Sequence, residues 1–446
     1  MSSLLASRTT RVFAGLAPLL LFSACAGGSS GRTGGNSGTG TGGSTTGQGG
    51  TGQTGGTSGT GGAATGSGGT TGSGGVTGTG GTSSGGVTGS GGSASGGSTG
   101  TGGQAGSAGG AAGSGSGFTP FVCPSGMSTP SASAIPAGSS ATKINGAPPL
   151  DAFNNTGNNF TNVEGPVWIG DALYFSEMVT SPNPPPARIL KIDSSDTVTA
   201  FYPSGGGGDS GSNGMAVDGS GNLVTANHGV GGIVSYAVPA ANKTTIIDSY
   251  MGKRFNSPND LTIRNDGTIY FTDPGFQAPS PMPQPNTGVY MVPPGSSPTA
   301  TEILSSLSNP NGITLSLDQK TLYVGHGGGV YSYAVNTDGS IGTTATHVDA
   351  ANLDNNATDG MAIDCAGDLY IVRVNTHDVD VVSFGGSPGG AGTHLATIAN
   401  VPGGGQLTNL AFGGADHKTL YITVQGAGST QRGVFKLAMP IPGMPY

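Results

Sequence analysis

The feature that most constrains the fold is a pattern of about 50 residues that occurs six times after residue 160. Each copy opens with a polar residue and a short apolar run. A turn rich in Asp, Gly and Asn separates this run from a second one, and one or two further β-branched or aromatic runs follow. The residues that open the six copies are Glu164, Asn213, Asn259, Asn311, Asp359 and Asn409.

Four short strands repeated six times at an even spacing predict an all-β fold, a six-bladed β-propeller. The sixth copy contains only three of the four runs, and we expect the segment around Thr142–Asn145 to supply the fourth strand and close the ring. No part of the repeats has a convincing helical period. Two separate β-sandwiches would account for the strands, but they would not account for the even spacing.

The opening residues of the copies predict a cation site. The first strand of each propeller blade lines the central channel, so six polar side chains, none of them cationic, converge at one end of it. Crowded carboxylate and amide oxygens need a cation, and an all-oxygen set favours Ca²⁺, with Zn²⁺ or Mn²⁺ as alternatives. The competing interpretation is that Asn-Gly only turns the chain into each strand; it explains Glu164 poorly.

The second strands of the copies end at the same face and are expected to surround the channel mouth. The residues there are Glu177, His228, Asp273, His326 and Arg373. Asp273 and Arg373 could instead form ion pairs in loops, and the two histidines could be ordinary surface residues. The connection Pro274–Gly288 contains four further prolines, which makes it a stiff rim or lid over the site.

The first 117 residues predict export and a tether rather than a fold. Residues 1–25 resemble a lipoprotein signal peptide with lipidation at Cys25, although an ordinary signal peptide with a chance cysteine would look similar. Residues 26–117 hold 43 of the 89 glycines and almost no apolar side chains, which predicts a disordered linker. Residues 118–446 form the predicted propeller. We expect a lipid-anchored protein of the outer membrane, on its periplasmic side or at the cell surface.

The charge and the cysteine content of the chain limit the binding partners and the disulfide pairing that the sequence predicts. All 23 acidic residues but only 12 of the 15 Lys and Arg follow residue 117, so the predicted propeller is acidic and unsuited to nucleic acid. A membrane would be reached only through the lipid anchor. The remaining cysteines, Cys123 and Cys365, would pair as a disulfide bond in an oxidising compartment; two buried thiols are the alternative.

Several motifs resemble the gluconolactonase family, which includes regucalcin (senescence marker protein). They are Glu164-Gly-Pro-Val-Trp, Ser257-Pro-Asn-Asp260, Tyr270-Phe-Thr-Asp-Pro274, Pro310-Asn-Gly312, Asp359-Gly-Met361 and Asn409-Leu-Ala-Phe-Gly-Gly414. The resemblance implies a six-bladed propeller with one divalent cation, often calcium. Its ligands would be Glu164, Asn311 and Asp359, with Asn259 as a further ligand or a substrate contact.

The resemblance also implies hydrolysis of sugar lactones or related small esters. Asp359 resembles the base that is proposed for the family, and Asn213 and Asn259 are candidates for holding substrate hydroxyls. Further candidate substrate contacts at the mouth are His228, Asp273 and Arg373. A tethered binding module with a structural calcium ion is the alternative function. A propeller like strictosidine synthase or paraoxonase fits the Pro-Asn-Asp and Phe-Thr-Asp-Pro strings less well.

Overall fold

The computed structural model describes residues 118–148, 159–179, 181–202, 211–349, 357–402, 404–426 and 431–445. The predicted signal peptide, the lipidation site Cys25 and the linker 26–117 lie outside the described residues. Within the described part of the chain, no helix is long and apolar enough to cross a membrane.

The described chain contains six four-stranded antiparallel sheets, which confirms the predicted six-bladed β-propeller. Two short 3-10 helices, Ala132–Ala134 and Gly138–Ser140, and the strand β1 (Thr142–Lys143) precede the blades. Blades 1 to 3 consist of β2 (Asn162–Ile169), β3 (Ala172–Met178), β4 (Ala187–Ile192) and β5 (Val198–Tyr202); β6 (Ser212–Val217), β7 (Leu223–Asn227), β8 (Gly232–Tyr236) and β9 (Lys243–Ile247); and β10 (Leu261–Ile263), β11 (Ile269–Asp273), β12 (Gly288–Val292) and β13 (Thr301–Ser305).

Blades 4 to 6 follow the same order from the innermost strand outward. They consist of β14 (Ile313–Leu315), β15 (Thr321–His326), β16 (Gly329–Val335) and β17 (Ile341–Val348); β18 (Thr358–Ile363), β19 (Leu369–Arg373), β20 (Asp378–Ser383) and β21 (Thr393–Ile398); and β22 (Gln406–Gly413), β23 (Thr419–Gln425) and β24 (Gly433–Ala438), with β1 as the outermost strand of blade 6.

The apolar core lies between neighbouring blades. In β3, Leu173 and Phe175 pack with residues of blade 6, whereas Tyr174 between them packs with residues of blade 2. Successive side chains of a strand point to opposite faces of its sheet, and here both faces are covered. The second strands therefore consist of almost continuous apolar runs.

The ring closes through the N-terminal strand β1, as predicted. Thr142 pairs with Lys436 and Lys143 with Phe435, so that β1 completes blade 6 beside β24. Two segments distant in sequence thus share one sheet, and the outer edge of β24 is covered.

The C-terminal residues cross the end of the channel that lies opposite the opening residues of the copies. The Cys365 N–H donates to the Pro442 carbonyl at 2.8 Å, the Met444 N–H donates to Ile363 at 2.9 Å, and the Trp168 N–H donates to Pro445 at 3.0 Å. A disulfide bond joins Cys123 to Cys365 at the same end. Both ends of the described chain are therefore fastened to blades 1, 5 and 6.

Candidate functional site

The pairing registers of the innermost strands show that the six opening residues do not share one level. The residues in equivalent positions are Pro166, Met215, Leu261, Ile313, Met361 and Leu410, whereas Val167, which packs towards the next blade, corresponds to Ala216. Counted back from these, the opening residues of blades 1 to 5 lie two positions earlier and Asn409 only one. This corrects the prediction of a single ring for Asn409 alone, because Gly165 lies against Gly214 as Gly214 lies against Asp260, and Asn409 itself lies beside Gly360.

Two levels of residues follow from this register. The upper level consists of Glu164, Asn213, Asn259, Asn311 and Asp359. The lower level, one residue deeper in the channel, consists of Gly165, Gly214, Asp260, Gly312, Gly360 and Asn409. The side-chain oxygens of Asp260 and Asn409 fill the space beside Gly214 and Gly360, where a Cβ atom would collide with them. The glycines therefore make room for two polar side chains that extend across the channel.

Three carboxylates meet at these levels. Burial, with the nearby charges of Asp359 and Asp260, raises the pKa of Glu164 well above its ordinary value. Burial and the charge of Asp260 likewise raise the pKa of Asp359. Burial raises the pKa of Asp260 to about 7. The cluster thus concentrates negative charge at a point where water is largely excluded.

Two amides connect the carboxylates. The Asn409 side chain hydrogen-bonds Glu164 and Asp260, and the Asn311 side chain hydrogen-bonds Asp359. The Asn311 Oδ1 atom is buried and has no hydrogen-bond partner among the described residues. A buried carbonyl oxygen without a donor is costly, which makes this atom available to a cation.

The donor set fits a hard divalent cation, since every candidate ligand atom is an oxygen. Within the described ranges, no three Asp, Glu, His or Cys side chains are placed to hold a metal ion by themselves. A cation near Glu164 and Asp359 would therefore depend on amide oxygens as well, and Asn311 presents one.

Asp273 supports the site from behind. It is fully buried, and its two oxygens accept hydrogen bonds from the backbone N–H groups of Asn256, at 2.9 Å, and Ser257, at 2.7 Å. Burial raises its pKa to about 7. The prediction that Asp273 contacts the substrate is wrong, because its carboxylate is enclosed and holds the loop that leads to Asn259.

His228 and Arg373 are committed to protein contacts. His228 is fully buried, its Nε2 atom lies 3.0 Å from the Pro185 carbonyl oxygen, and burial lowers its pKa to about 4. Arg373 forms an ion pair with the buried Asp380 at 2.9 Å. Neither side chain is presented freely at the mouth, which corrects the prediction that they line it. The contact with Asp380 supports the alternative interpretation, in which Arg373 forms an ion pair.

The remaining predicted contacts, Asn213 and Asn259, lie at the upper level and are 2% and 7% exposed. The Gly214 N–H donates to the Asn259 carbonyl oxygen at 2.6 Å, which joins blades 2 and 3 directly below them. Both residues thus sit beside the channel axis, next to Asn311 and Asp359 in register.

The proline-rich connection after Asp273 forms a braced rim. The Gln284 side-chain amide donates to the carbonyl oxygens of Tyr250, Lys253 and Arg254, at 2.9–3.2 Å. The Gln284 N–H donates to the Asn256 side chain at 2.8 Å, and Asn256 in turn donates to Asn286. Sequence reasoning missed Asn256, Asp260 and Gln284. The one available signal was Asp260, which occupies a position where four other copies have glycine.

Comparisons with known proteins agree with this geometry. The family described as the SMP-30/gluconolactonase/LRE-like region matches residues 163–426. A gluconolactonase from Zymomonas mobilis is 30% identical over 292 residues, which cover 58% of this chain and 75% of that protein. Among solved structures, a gluconolactonase from Xanthomonas campestris is 25% identical with a TM-score of 0.52, over 67% of this chain and 97% of that one. A calcium-binding protein, regucalcin, from Agrobacterium tumefaciens shares the fold at 19% identity and a TM-score of 0.50, over 65% of this chain and 92% of that one.

Proposed function

The chain belongs to the SMP-30/gluconolactonase/LRE-like family, as its motifs predicted, and from this premise we propose that it is a metal-dependent hydrolase of small lactones or related esters. The observation that carries the proposal is the cluster of Glu164, Asp260 and Asp359 beside the unpartnered Asn311 Oδ1. Its similarity to a gluconolactonase over 75% of that enzyme's length supports the substrate class.

Glu164, Asn311 and Asp359 would hold the cation, with Asn259 as a further ligand. Ca²⁺ is the first candidate because all donors are oxygens, and Zn²⁺ or Mn²⁺ are alternatives. When bound there, a divalent cation supplies a Lewis acid that polarises a lactone carbonyl.

The protein's own groups would supply the remaining chemistry. Asp359 is the candidate base, and its bond to the Asn311 amide orients the carboxylate. Asp359 takes a proton from the attacking water, the new C–O bond forms at the carbonyl carbon, and the ring C–O bond breaks. The proton passes to the departing alkoxide oxygen, which yields a hydroxy acid. Asn213 and Asn259 would hold substrate hydroxyls, and the braced rim would limit the size of the substrate.

A lactone and ester panel tests the proposal. Chelator-treated protein should be inactive, and adding back Ca²⁺, Mn²⁺ or Zn²⁺ should restore hydrolysis of small lactones. Asp359→Ala should lower kcat/KM by about 10²-fold or more, because it removes both the base and a ligand. Asp248→Ala, at an exposed aspartate, is the matched control and should retain full activity. Activity that survives both the chelator and Asp359→Ala would contradict the mechanism, and cation binding without turnover would favour the binding module.

A further inference from the structure

Asp260 is the one carboxylate of the lower level, and no motif role accounts for it. Blades 1, 2, 4 and 5 have glycine at this position. We propose that Asp260 is a positioning residue of the cation site, which raises the affinity for a divalent cation by adding a third carboxylate and by fixing Asn409. The inference rests on the proposed cation site, but it does not require that the protein turns over a lactone.

The contacts of Asp260 tie together four blades. Its Oδ1 atom accepts a hydrogen bond from the Leu261 N–H at 2.9 Å, and its carboxylate also accepts one from the Ile313 N–H of blade 4. The Asn409 amide of blade 6 reaches it across the channel. Its Oδ1 lies beside Gly214 of blade 2. The carboxylate is therefore held at the channel axis, and it is only 6% exposed.

No basic side chain balances this charge. Among the described residues, none of the ion pairs involves Glu164, Asp260 or Asp359. The charges that act on Glu164 and Asp359 are those of other carboxylates. Three ionised carboxylates without a Lys or Arg carry more negative charge than one monovalent cation would neutralise. The number of charged ligands also tunes the affinity of calcium sites.

The second part of the proposed effect on cation affinity depends on Asn409. Its side chain bonds both Asp260 and Glu164, so Asp260 fixes the amide that in turn holds a predicted ligand. The Leu410 N–H also donates to the Asn409 Oδ1 atom at 2.8 Å, which leaves the amide NH₂ group to face the carboxylates. Loss of the Asp260 charge would therefore both weaken the local field and free the amide that positions Glu164.

Calorimetric titration of CaCl₂ into the chelator-treated full chain tests the proposal. Asp260→Asn should raise the Kd for Ca²⁺ by about tenfold or more, since a neutral amide of the same size removes one charge. Asp260→Gly, which copies blades 1, 2, 4 and 5, should weaken binding similarly. Without cation, Asp260→Asn should melt at the parent's temperature or above it, because repulsion between acids is relieved. A merely structural aspartate would instead lower the melting temperature of the cation-free protein.

Asp364→Asn is the matched control. Asp364 is a fully buried carboxylate that accepts hydrogen bonds from Ala366, Asp368 and Tyr370 at the opposite end of the channel. It should leave the Kd for Ca²⁺ unchanged. The inference would be overturned if Asp260→Asn bound Ca²⁺ with the same Kd as the parent protein, or if the Asp260 and Asp364 variants lost equal affinity for Ca²⁺. Either result would leave the proposed hydrolase function untouched. A selective loss of affinity in a protein that hydrolyses no lactone would support the inference and contradict only the proposed hydrolase.

Discussion

Individual side chains at the channel mouth form an acidic cluster without a basic partner among the described residues. Burial raises the pKa of Glu164, Asp260 and Asp359, and the charges of Asp260 and Asp359 add to the rise for Glu164, as the charge of Asp260 does for Asp359. Amides rather than basic groups separate them. The folded protein therefore holds protons on these acids more tightly than an unfolded chain does. A divalent cation would compete with those protons, because it binds the ionised carboxylates.

This competition predicts how stability depends on pH. The pKa of Asp260 is raised from 3.8 to about 7 in the folded state, so the cation-free protein loses stability from this group as pH rises between these values. The rise in melting temperature on adding Ca²⁺ should accordingly be larger at pH 8 than at pH 5. Melting curves with chelator and with Ca²⁺ at both pH values measure it. A calcium-induced rise that is equal at both pH values would contradict the carboxylate site.

The loops at the mouth depend on buried polar groups in neighbouring strands. Asp273, the last residue of β11, holds the backbone of Asn256 and Ser257, and Gln284 ties the proline-rich rim to the segment around Tyr250. The loop carrying Asn259 and Asp260 is thus fixed from below by a strand and from the side by the rim. The rim is braced by at least five side-chain hydrogen bonds, so a rigid wall describes it better than a lid.

Asp273→Ala should destabilise this loop. Two buried backbone N–H groups would lose their acceptor, at a cost of about 3 kcal/mol in the free energy of unfolding. Affinity for Ca²⁺ should fall as well, because the loop carries Asn259 and Asp260. Urea unfolding and calcium titration measure the two effects. Asp248→Ala, at an exposed aspartate just after β9, is the control and should change neither; the proposed support would be wrong if both variants behaved alike.

The complete ring is closed by segments from both ends of the described chain. β1 completes blade 6, while the C-terminal residues bond to blades 1 and 5 at the end opposite the carboxylates. The disulfide bond between Cys123 and Cys365 spans 242 residues of sequence at this end. It therefore secures the closure without contacting the candidate site.

Removing this cross-link should lower global stability and spare the site. A Cys123→Ser/Cys365→Ser variant should lose about 2–5 kcal/mol in the free energy of unfolding, because the unfolded chain gains freedom. Its Kd for Ca²⁺, measured at a temperature where it remains folded, should match the parent's. An unchanged melting temperature would show that the hydrogen bonds of the C-terminal segment hold the ring without the disulfide bond. A changed Kd would show that the two ends of the channel are coupled.

The sequence by itself determined the fold class, the number of blades and the closing strand, because repeat spacing and strand composition are local properties of the chain. It also identified the family and placed Glu164, Asn311 and Asp359 at one end of the channel, since each opens a copy of the same pattern. The predictions for Cys25 and the linker 26–117 stay predictions.

Only the tertiary structure decided which groups share a level and which partners they have. A difference of one residue in register separates Asn409 from the other opening residues and places it level with Asp260, and spacing alone does not reveal it. Burial decided the roles of His228, Asp273 and Arg373, whose residue types suit a substrate pocket but which bind a carbonyl oxygen of blade 1, a loop of the same blade and a neighbouring strand of the same blade, respectively. These partners lie 7 to 43 residues away in sequence, and no local pattern identifies them, so they are set only when the strands pair and the blades pack.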